Sequence, residues 1–134
     1  GNGLGERDRI GEVLYNRGLV AAMWTVEAIR KAMDIHKTNK VKGVHVRDGF
    51  EALDVDEARL KELGLPNFTI PVKISCENHE GPGKVALQQW DAKAGKWSIV
   101  TKFYEPMRDI TGPLIAEDSA QYAAENNVLP RICG

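Results

Sequence analysis

The chain has 134 residues, 43% of them hydrophobic and 28% charged, which is enough for one compact core with an average polar surface. Eighteen Lys and Arg residues against nineteen Asp and Glu residues leave a formal net charge of -1, so no global field draws the chain to nucleic acid. We find no apolar run of the roughly 18 residues that a membrane span requires. Residues 1–7 also lack the basic start and apolar stretch of an export signal.

The first predicted element is a long amphipathic helix from residue 10 to about residue 36. Its apolar residues recur at three- and four-residue steps, the spacing of one helix face: Val13, Leu14, Leu19, Val20, Met23, Val26, Ile29 and Met33. Glu27 precedes Lys31 by four residues, the order that favours an ion pair on a helix. Asn39 and Gly43 bracket the predicted end of the helix.

Two short helices are predicted next. The first covers residues 44–53 and carries Val46, Phe50 and Leu53 on one side. For the second, Asp54 offers a capping oxygen and Glu57 a carboxylate three residues later, which is a capping-box arrangement. Gly64 and Pro66 end this helix.

The second half of the chain reads as strands followed by a helix. Residues 68–74 alternate apolar and polar side chains, and Pro71 places this strand at a sheet edge or at a strand start. Residues 85–90 and 97–103 flank a loop of hairpin length and composition. The last predicted helix opens at Thr111-Gly112-Pro113, with proline in its first turn, and ends at Asn126-Asn127.

Two cysteines, Cys76 and Cys133, are an even number, which suits one disulfide bond in an oxidising compartment. The alternative is two unpaired thiols, one in a strand and one on the tail. The sequence leaves both open, because a bond requires the two Cα atoms to approach within roughly 7 Å.

The run Cys76-x-x-His79-Glu80 contains three competent zinc ligands, whereas a structural zinc site normally has four. A Cys76–His79 nucleophile is disfavoured because a spacing of three directs strand side chains to opposite faces. The glycine-rich runs at residues 1–5 and 81–84 lack the strand or helix that makes such loops bind phosphate. We therefore predict no metal site, no catalytic residue and no cofactor.

A polar cluster, Tyr15-Asn16-Arg17, lies near the start of the long helix. Arg17 could bind a carboxylate through two hydrogen bonds, and Tyr15 could stack on an apolar ligand. The alternative is a solvated arginine beside a tyrosine at the core margin. The three tryptophans could form an aromatic platform for a ligand, but packing is favoured, with Trp24 in the helix and Trp90 and Trp97 as a cross-strand pair.

Three segments carry a family resemblance: the helix ending at residues 26–32, the strand, glycine-rich crossing and strand of residues 74–90, and the strand at 96–100. In this order they resemble the C-terminal portion of a periplasmic solute-binding protein of type I, the branched-chain amino acid receptor-like family of ABC importers. That family is about three times longer, so the resemblance implies that this chain is its last third.

The resemblance implies an α/β fold, as a fragment of a two-lobed protein. Residues 1–80 would complete the first lobe, and residues 81–134 would form the interlobe crossing, the hairpin strands and the C-terminal helix, with most of both lobes absent. It implies solute contacts at Leu14, Tyr15, Asn16 and Arg17, and a hinge at His79, Glu80 and Gly81.

The implied function is non-enzymatic: the complete receptor would bind a small organic solute, such as an amino acid or an aromatic carboxylic acid, and deliver it to a membrane permease. Solute would stabilise the closed cleft. The expected location is periplasmic. We expect the fragment to self-associate through the surface that the absent part would cover. The alternatives are a ligand-sensing ectodomain of the same fold and a small hydrolase that uses Cys76 and His79.

Overall fold

The computed structural model describes residues 5–133, which divide into an N-terminal unit that ends at Gly81 and a C-terminal unit that begins at Pro82. The described elements of the N-terminal unit are a 3-10 helix (Arg7–Arg9), α1 (Val13–His36), α2 (Gly43–Glu51), β1 (Asp54–Val55), α3 (Glu57–Glu62) and β2 (Val72–Lys73). Those of the C-terminal unit are β3 (Gln88–Asp91), β4 (Lys96–Ile99) and α4 (Arg108–Glu125). The assignment to a two-lobed α/β fold stays a prediction.

The long predicted helix is confirmed as α1, but Met23 is the one member of the predicted stripe that is buried. Lys37 takes a left-handed conformation with φ 49° and ends the helix. The buried residues of α1 are Met23, Ala28 and Ala32. Several members of the predicted stripe are exposed instead: Val13, Leu14, Leu19, Val26 and Met33. The prediction ranked side chains by hydrophobicity, whereas the contact of α1 with α2 is made by the small side chains of Ala28 and Ala32.

The reason is the close approach of α2. Gly49 of α2 is buried, and a Cβ atom at this position would overlap the carbonyl oxygen of Ala28 and lie 3.0 Å from the Cβ of Ala32. Only small residues on both helices allow this separation, because packed interiors leave no space for further methyl groups. The prediction of α2 is confirmed, although the helix ends two residues before the predicted residue 53.

The core of the N-terminal unit lies where β1, β2 and α3 meet α1, and its members are Met23, Ala28, Leu53, Val55, Leu60 and Val72. β1 and β2 are antiparallel, with Val55 opposite Val72 and Asp54 opposite Lys73. The predicted strand 68–74 is thus only partly paired, and Pro71 directly precedes β2 as a strand start allows.

The predicted helix cap was wrong by two residues. Asp54 lies in β1, and the N-cap of α3 is Asp56, whose carboxylate accepts a hydrogen bond from the backbone N–H of Arg59 at 2.7 Å. Both aspartates are plausible caps by residue type. The burial of Val55 decides which aspartate caps the helix. Val55 pairs with Val72 in the core, and this pairing keeps Asp54 in the strand.

The predicted hairpin is confirmed in the C-terminal unit. β3 and β4 are antiparallel, with Trp90 opposite Trp97, and an isolated bridge joins Val85 to Tyr104. The carboxylate of Asp91 closes the turn by accepting hydrogen bonds from the backbone N–H groups of Lys93 and Ala94, at 2.9 and 3.0 Å.

The last helix, α4, begins at Arg108, three residues before the predicted start at Thr111. Pro113 therefore lies inside the helix rather than in its first turn, where it removes one backbone hydrogen bond. The predicted end is confirmed: the side chain of Asn126 donates to the carbonyl oxygen of Tyr122 at 2.9 Å, and Asn127 has φ 54°. Among the helices of residues 5–133, none has the length and apolar character needed to cross a membrane.

Candidate functional site

A surface concavity of about 610 Å³ lies beside the start of α1. Two of the four predicted solute contacts, Leu14 and Tyr15, line it together with Ile10. Its polar lining comes from the segment before the helix and carries both charge signs, Glu6 and Glu12 against Arg7 and Arg9.

The positive charge of the two arginines in this concavity is balanced by two glutamates in the same lining. Arg9 pairs with Glu12, with Nε and Oε2 3.2 Å apart. Two arginines and two glutamates leave no net positive field that would favour an anionic ligand. The lining of this concavity therefore lacks the electrostatic bias that carboxylate binding would use.

The other two predicted contacts lie outside this lining. Asn16 has a structural role, because its side-chain amide donates to the carbonyl oxygen of Gly11 at 3.0 Å and closes the turn before α1. Arg17 is exposed. The structure thus brings together Leu14 and Tyr15 but not the whole predicted cluster, and the solute-contact role of the four residues stays a prediction.

A charged cluster that the sequence did not predict joins α1 to α3. Arg59 donates from Nε to one carboxylate oxygen of Glu27 at 2.8 Å and from Nη2 to the other at 3.0 Å. Its Nη1 donates to Glu62 at 2.8 Å. These carboxylates raise the pKa of Arg59, mainly through the hydrogen bonds from Glu27 and Glu62.

Glu27 is nearly buried, with 11% of its side chain exposed. Lys31 is not the partner of Glu27 on the helix: Glu27 pairs with Arg30, three positions later, at 3.4 Å and with Arg59, which is 32 positions away in sequence. A bidentate pair of this kind fixes orientation as well as charge. We infer that the Arg59–Glu27 pair holds α3 against α1.

All three histidines of the chain lie around α2. His36 and Asp48 are 3.0 Å apart, from Nε2 to Oδ2, and the rings of His36 and His45 stack with centroids 4.2 Å apart. Arg47 also donates to Asp48 at 2.8 Å. The hydrogen bond from Arg47, and then that from His36, hold the pKa of the Asp48 carboxyl below its usual value.

The third histidine, His79, lies 3.6 Å from Glu51, between Nε2 and Oε1. Across residues 5–133, no group of three or more His, Cys, Asp and Glu side chains is placed to hold a metal ion. Cys76 is disulfide-bonded, as is Cys133. A cysteine must be a thiolate to bind zinc or to act as a nucleophile, and a disulfide-bonded sulfur is not a thiolate.

The predicted hinge lies at the end of the N-terminal unit. Gly81 is buried and has φ 70°, and a Cβ atom there would lie 3.2 Å from Cγ2 of Val72. Its carbonyl oxygen accepts a hydrogen bond from the side chain of Asn78 at 3.3 Å. Glu80 is exposed. The hinge role of His79, Glu80 and Gly81 stays a prediction.

The tryptophans pack as two separate sets. Trp24 packs against the core, and its buried Nε1 has no hydrogen-bond acceptor among the described residues. The predicted cross-strand pair is confirmed, since the rings of Trp90 and Trp97 lie 5.6 Å apart at an interplanar angle of 54°. That pair remains 48% and 62% exposed, respectively.

Comparison with known proteins relates this chain to a transport protein. It is similar to a crystal structure described as an ABC transporter permease from the Pseudomonas fluorescens group, with 37% identity and a TM-score of 0.86. The chain resembles an ABC transport component. The similarity covers 98% of this chain and 31% of the permease chain, so this chain spans about a third of that length. No protein-family model and no curated protein matches the chain.

This comparison overturns the family resemblance drawn from the sequence. The similar structure is described as a permease, so the identification as a periplasmic solute-binding protein and the function of capturing a small solute are wrong. The order of helices, strands and glycine-rich crossings misled because element order alone recurs across proteins of different function. The transport setting of the prediction is the part that the comparison supports.

Proposed function

We propose that the chain is a non-enzymatic segment of an ABC transport component, located in the periplasm. The observation that carries the proposal is the similarity to the permease structure, at 37% identity over 98% of this chain. An identity of this level over nearly every residue supports a shared role more strongly than a common fold would.

The periplasmic location is supported by the state of the cysteines. Both Cys76 and Cys133 are disulfide-bonded. Disulfide bonds persist in the bacterial periplasm and are rare in the cytosol, where thiol reductants keep cysteines reduced. We therefore place this segment on the periplasmic side of the transport system.

The non-enzymatic character is supported by the contacts that the candidate catalytic groups make. Cys76 is bonded, and His79 faces Glu51 rather than a nucleophile. Nucleophilic catalysis needs an activated group within hydrogen-bond reach of a base. The residues that suggested a hydrolase therefore have structural partners.

Co-purification tests the transport role. The polypeptide that contains this chain would be epitope-tagged, expressed in its host and purified from membranes in mild detergent. We expect the eluate to contain the nucleotide-binding subunit of an ABC transporter and vanadate-sensitive ATP hydrolysis. A tagged, unrelated disulfide-bonded periplasmic protein is the control. An eluate whose ATP hydrolysis equals that of the control would contradict the proposal.

Thiol trapping tests the location. In acid-quenched cells, without reductant, iodoacetamide should alkylate neither cysteine. Non-reducing peptide mapping should recover Cys76 and Cys133 in one cross-linked pair of peptides. After reduction, both cysteines should be alkylated fully. Alkylation of either cysteine before reduction would place the segment in a reducing compartment and refute the periplasmic location.

A further inference from the structure

The C-terminal unit lacks a core of its own. No residue between 82 and 133 is fully buried, whereas the core of the N-terminal unit contains six buried side chains. Its α4 leaves large apolar side chains exposed: Ile110, Leu114, Ile115 and Tyr122. Several large apolar side chains exposed on one helix mark an interaction site.

The total exposed surface of the chain is also larger than that of two compact units. The chain exposes 10855 Å². Two separate compact units of these lengths would together expose roughly 8,400 Å², from the scaling of surface with mass. The exposed area of the chain is therefore larger than the area expected for two compact units. This difference does not depend on how the units are arranged, because the expected area treats them as separate. The difference exceeds the roughly 800 Å² that each partner contributes to a standard interface.

The two sides of the β3–β4 hairpin differ in polarity. Residues directly opposite each other in an antiparallel pair project to the same side, and alternate residues share that side. We call the side formed by Gln88, Trp90, Trp97 and Ile99 the tryptophan face. The opposite side is polar throughout, with Gln89 opposite Ser98 and Asp91 opposite Lys96.

A hairpin with one apolar and one polar side is the pattern of a sheet that packs one face against a core. Here that core is missing, because Trp90, Trp97 and Ile99 are 48%, 62% and 55% exposed. A two-stranded hairpin is also only marginally stable by itself and needs further strands or a packed face. The tryptophan face therefore requires an occupant.

We propose that the occupant is the polypeptide that corresponds to the remaining two thirds of the permease-like chain, and that it docks on the tryptophan face. The permease structure holds this segment within a chain of which 69% lies outside the match (100% less the 31% covered). A chain of that size can supply the apolar surface that Trp90, Trp97 and Ile99 lack. The inference rests on the similarity used above but not on transport activity.

The test combines the 134-residue chain with a second polypeptide, the unmatched portion of the permease from the Pseudomonas fluorescens group. The two would be co-expressed, purified and examined by light scattering, and the dissociation constant would be measured by titration. We expect a one-to-one complex. Trp97→Thr should weaken it by about 30-fold or more, as for a central aromatic residue of an interface.

The matched control is Gln89→Thr, on the polar side of the same hairpin, which should change affinity less than about threefold. Both variants introduce a residue that strands favour, and far-UV circular dichroism checks that both fold. In the unmutated chain labelled with 5-fluorotryptophan, the ¹⁹F resonances of Trp90 and Trp97 should shift on binding, while that of Trp24 should not. This measurement needs no destabilising substitution.

Four outcomes would overturn the proposal: no complex, equal effects of Trp97→Thr and Gln89→Thr, a homodimer that shields the tryptophan face, or binding of that face to phosphatidylglycerol vesicles. The first two would show that the face is not the docking site, and the others would identify a different occupant. None of them alters the co-purification result, so failure of this proposal is distinguishable from failure of the transport role.

Discussion

Substitution of Gly49 by alanine tests the close packing of α1 against α2. The added Cβ atom would overlap the carbonyl oxygen of Ala28 and lie 3.0 Å from the Cβ of Ala32. Backbone atoms of a helix cannot rotate away as a side chain would, so the two helices must separate. Overpacking of this kind costs about 1–3 kcal/mol.

A second effect acts in the opposite direction. Alanine is favoured over glycine inside a helix by about 1 kcal/mol. Because the overlap involves backbone and the separation also loosens Met23 and Leu53 in the core, we expect overpacking at the upper end of its range to prevail. The net loss should be about 2 kcal/mol, which lowers the midpoint of thermal unfolding by roughly 10 °C for a unit of this size.

The assay is urea and thermal unfolding followed by far-UV circular dichroism. Gly18→Ala is the matched control, because Gly18 also lies inside a helix but a Cβ atom there meets no atom within 4 Å. This control should gain about 0.5–1 kcal/mol. If Gly49→Ala were as stable as the unmutated chain, or if both variants gained equally, the close approach of α1 and α2 would be refuted.

Three further substitutions test the core, the helix cap and the charged cluster. Leu60→Ala removes a side chain that is 2% exposed and should cost about 2–5 kcal/mol in urea unfolding; a loss below 1 kcal/mol would place Leu60 outside the core. Asp56→Ala should cost about 1 kcal/mol if Asp56 caps α3, and an Asp54→Ala variant that loses as much would contradict this assignment. The pKa of Asp48 is lowered in the fold, so its stabilising effect is complete above the ordinary pKa of about 3.9 and is lost as pH falls through the folded value. The urea midpoint of the unmutated chain should therefore approach that of Asp48→Asn between pH 6 and pH 2, and a constant difference would exclude the effect.

The elements that the sequence predicted well depend on interactions between near neighbours. The three- and four-residue spacing predicted α1, and strand pattern with loop length predicted the hairpin and the pairing of Trp90 with Trp97. The end of α4 at Asn126 was predicted from residue type alone. Such features are set within a few residues, by side-chain spacing and turn chemistry.

The structure brings together only two of the four predicted solute contacts. Leu14 and Tyr15 line the concavity at the start of α1, whereas Asn16 bonds to Gly11. The Arg59–Glu27 pair was missed, since its members are 32 positions apart and no local spacing links them. The solute-binding function was wrong because it rested on the order of elements, which many proteins share.

The sequence by itself determined where helices form, where the hairpin turns and which residues carry charge, because these depend on neighbours in the chain. Only the tertiary structure decided that Ala28, Ala32 and Gly49 make the helix contact, that Asp56 rather than Asp54 caps α3, and that the tryptophan face has no core beneath it. The physical reason is that burial and close packing are properties of pairs of surfaces. Which surfaces meet is set by the fold as a whole.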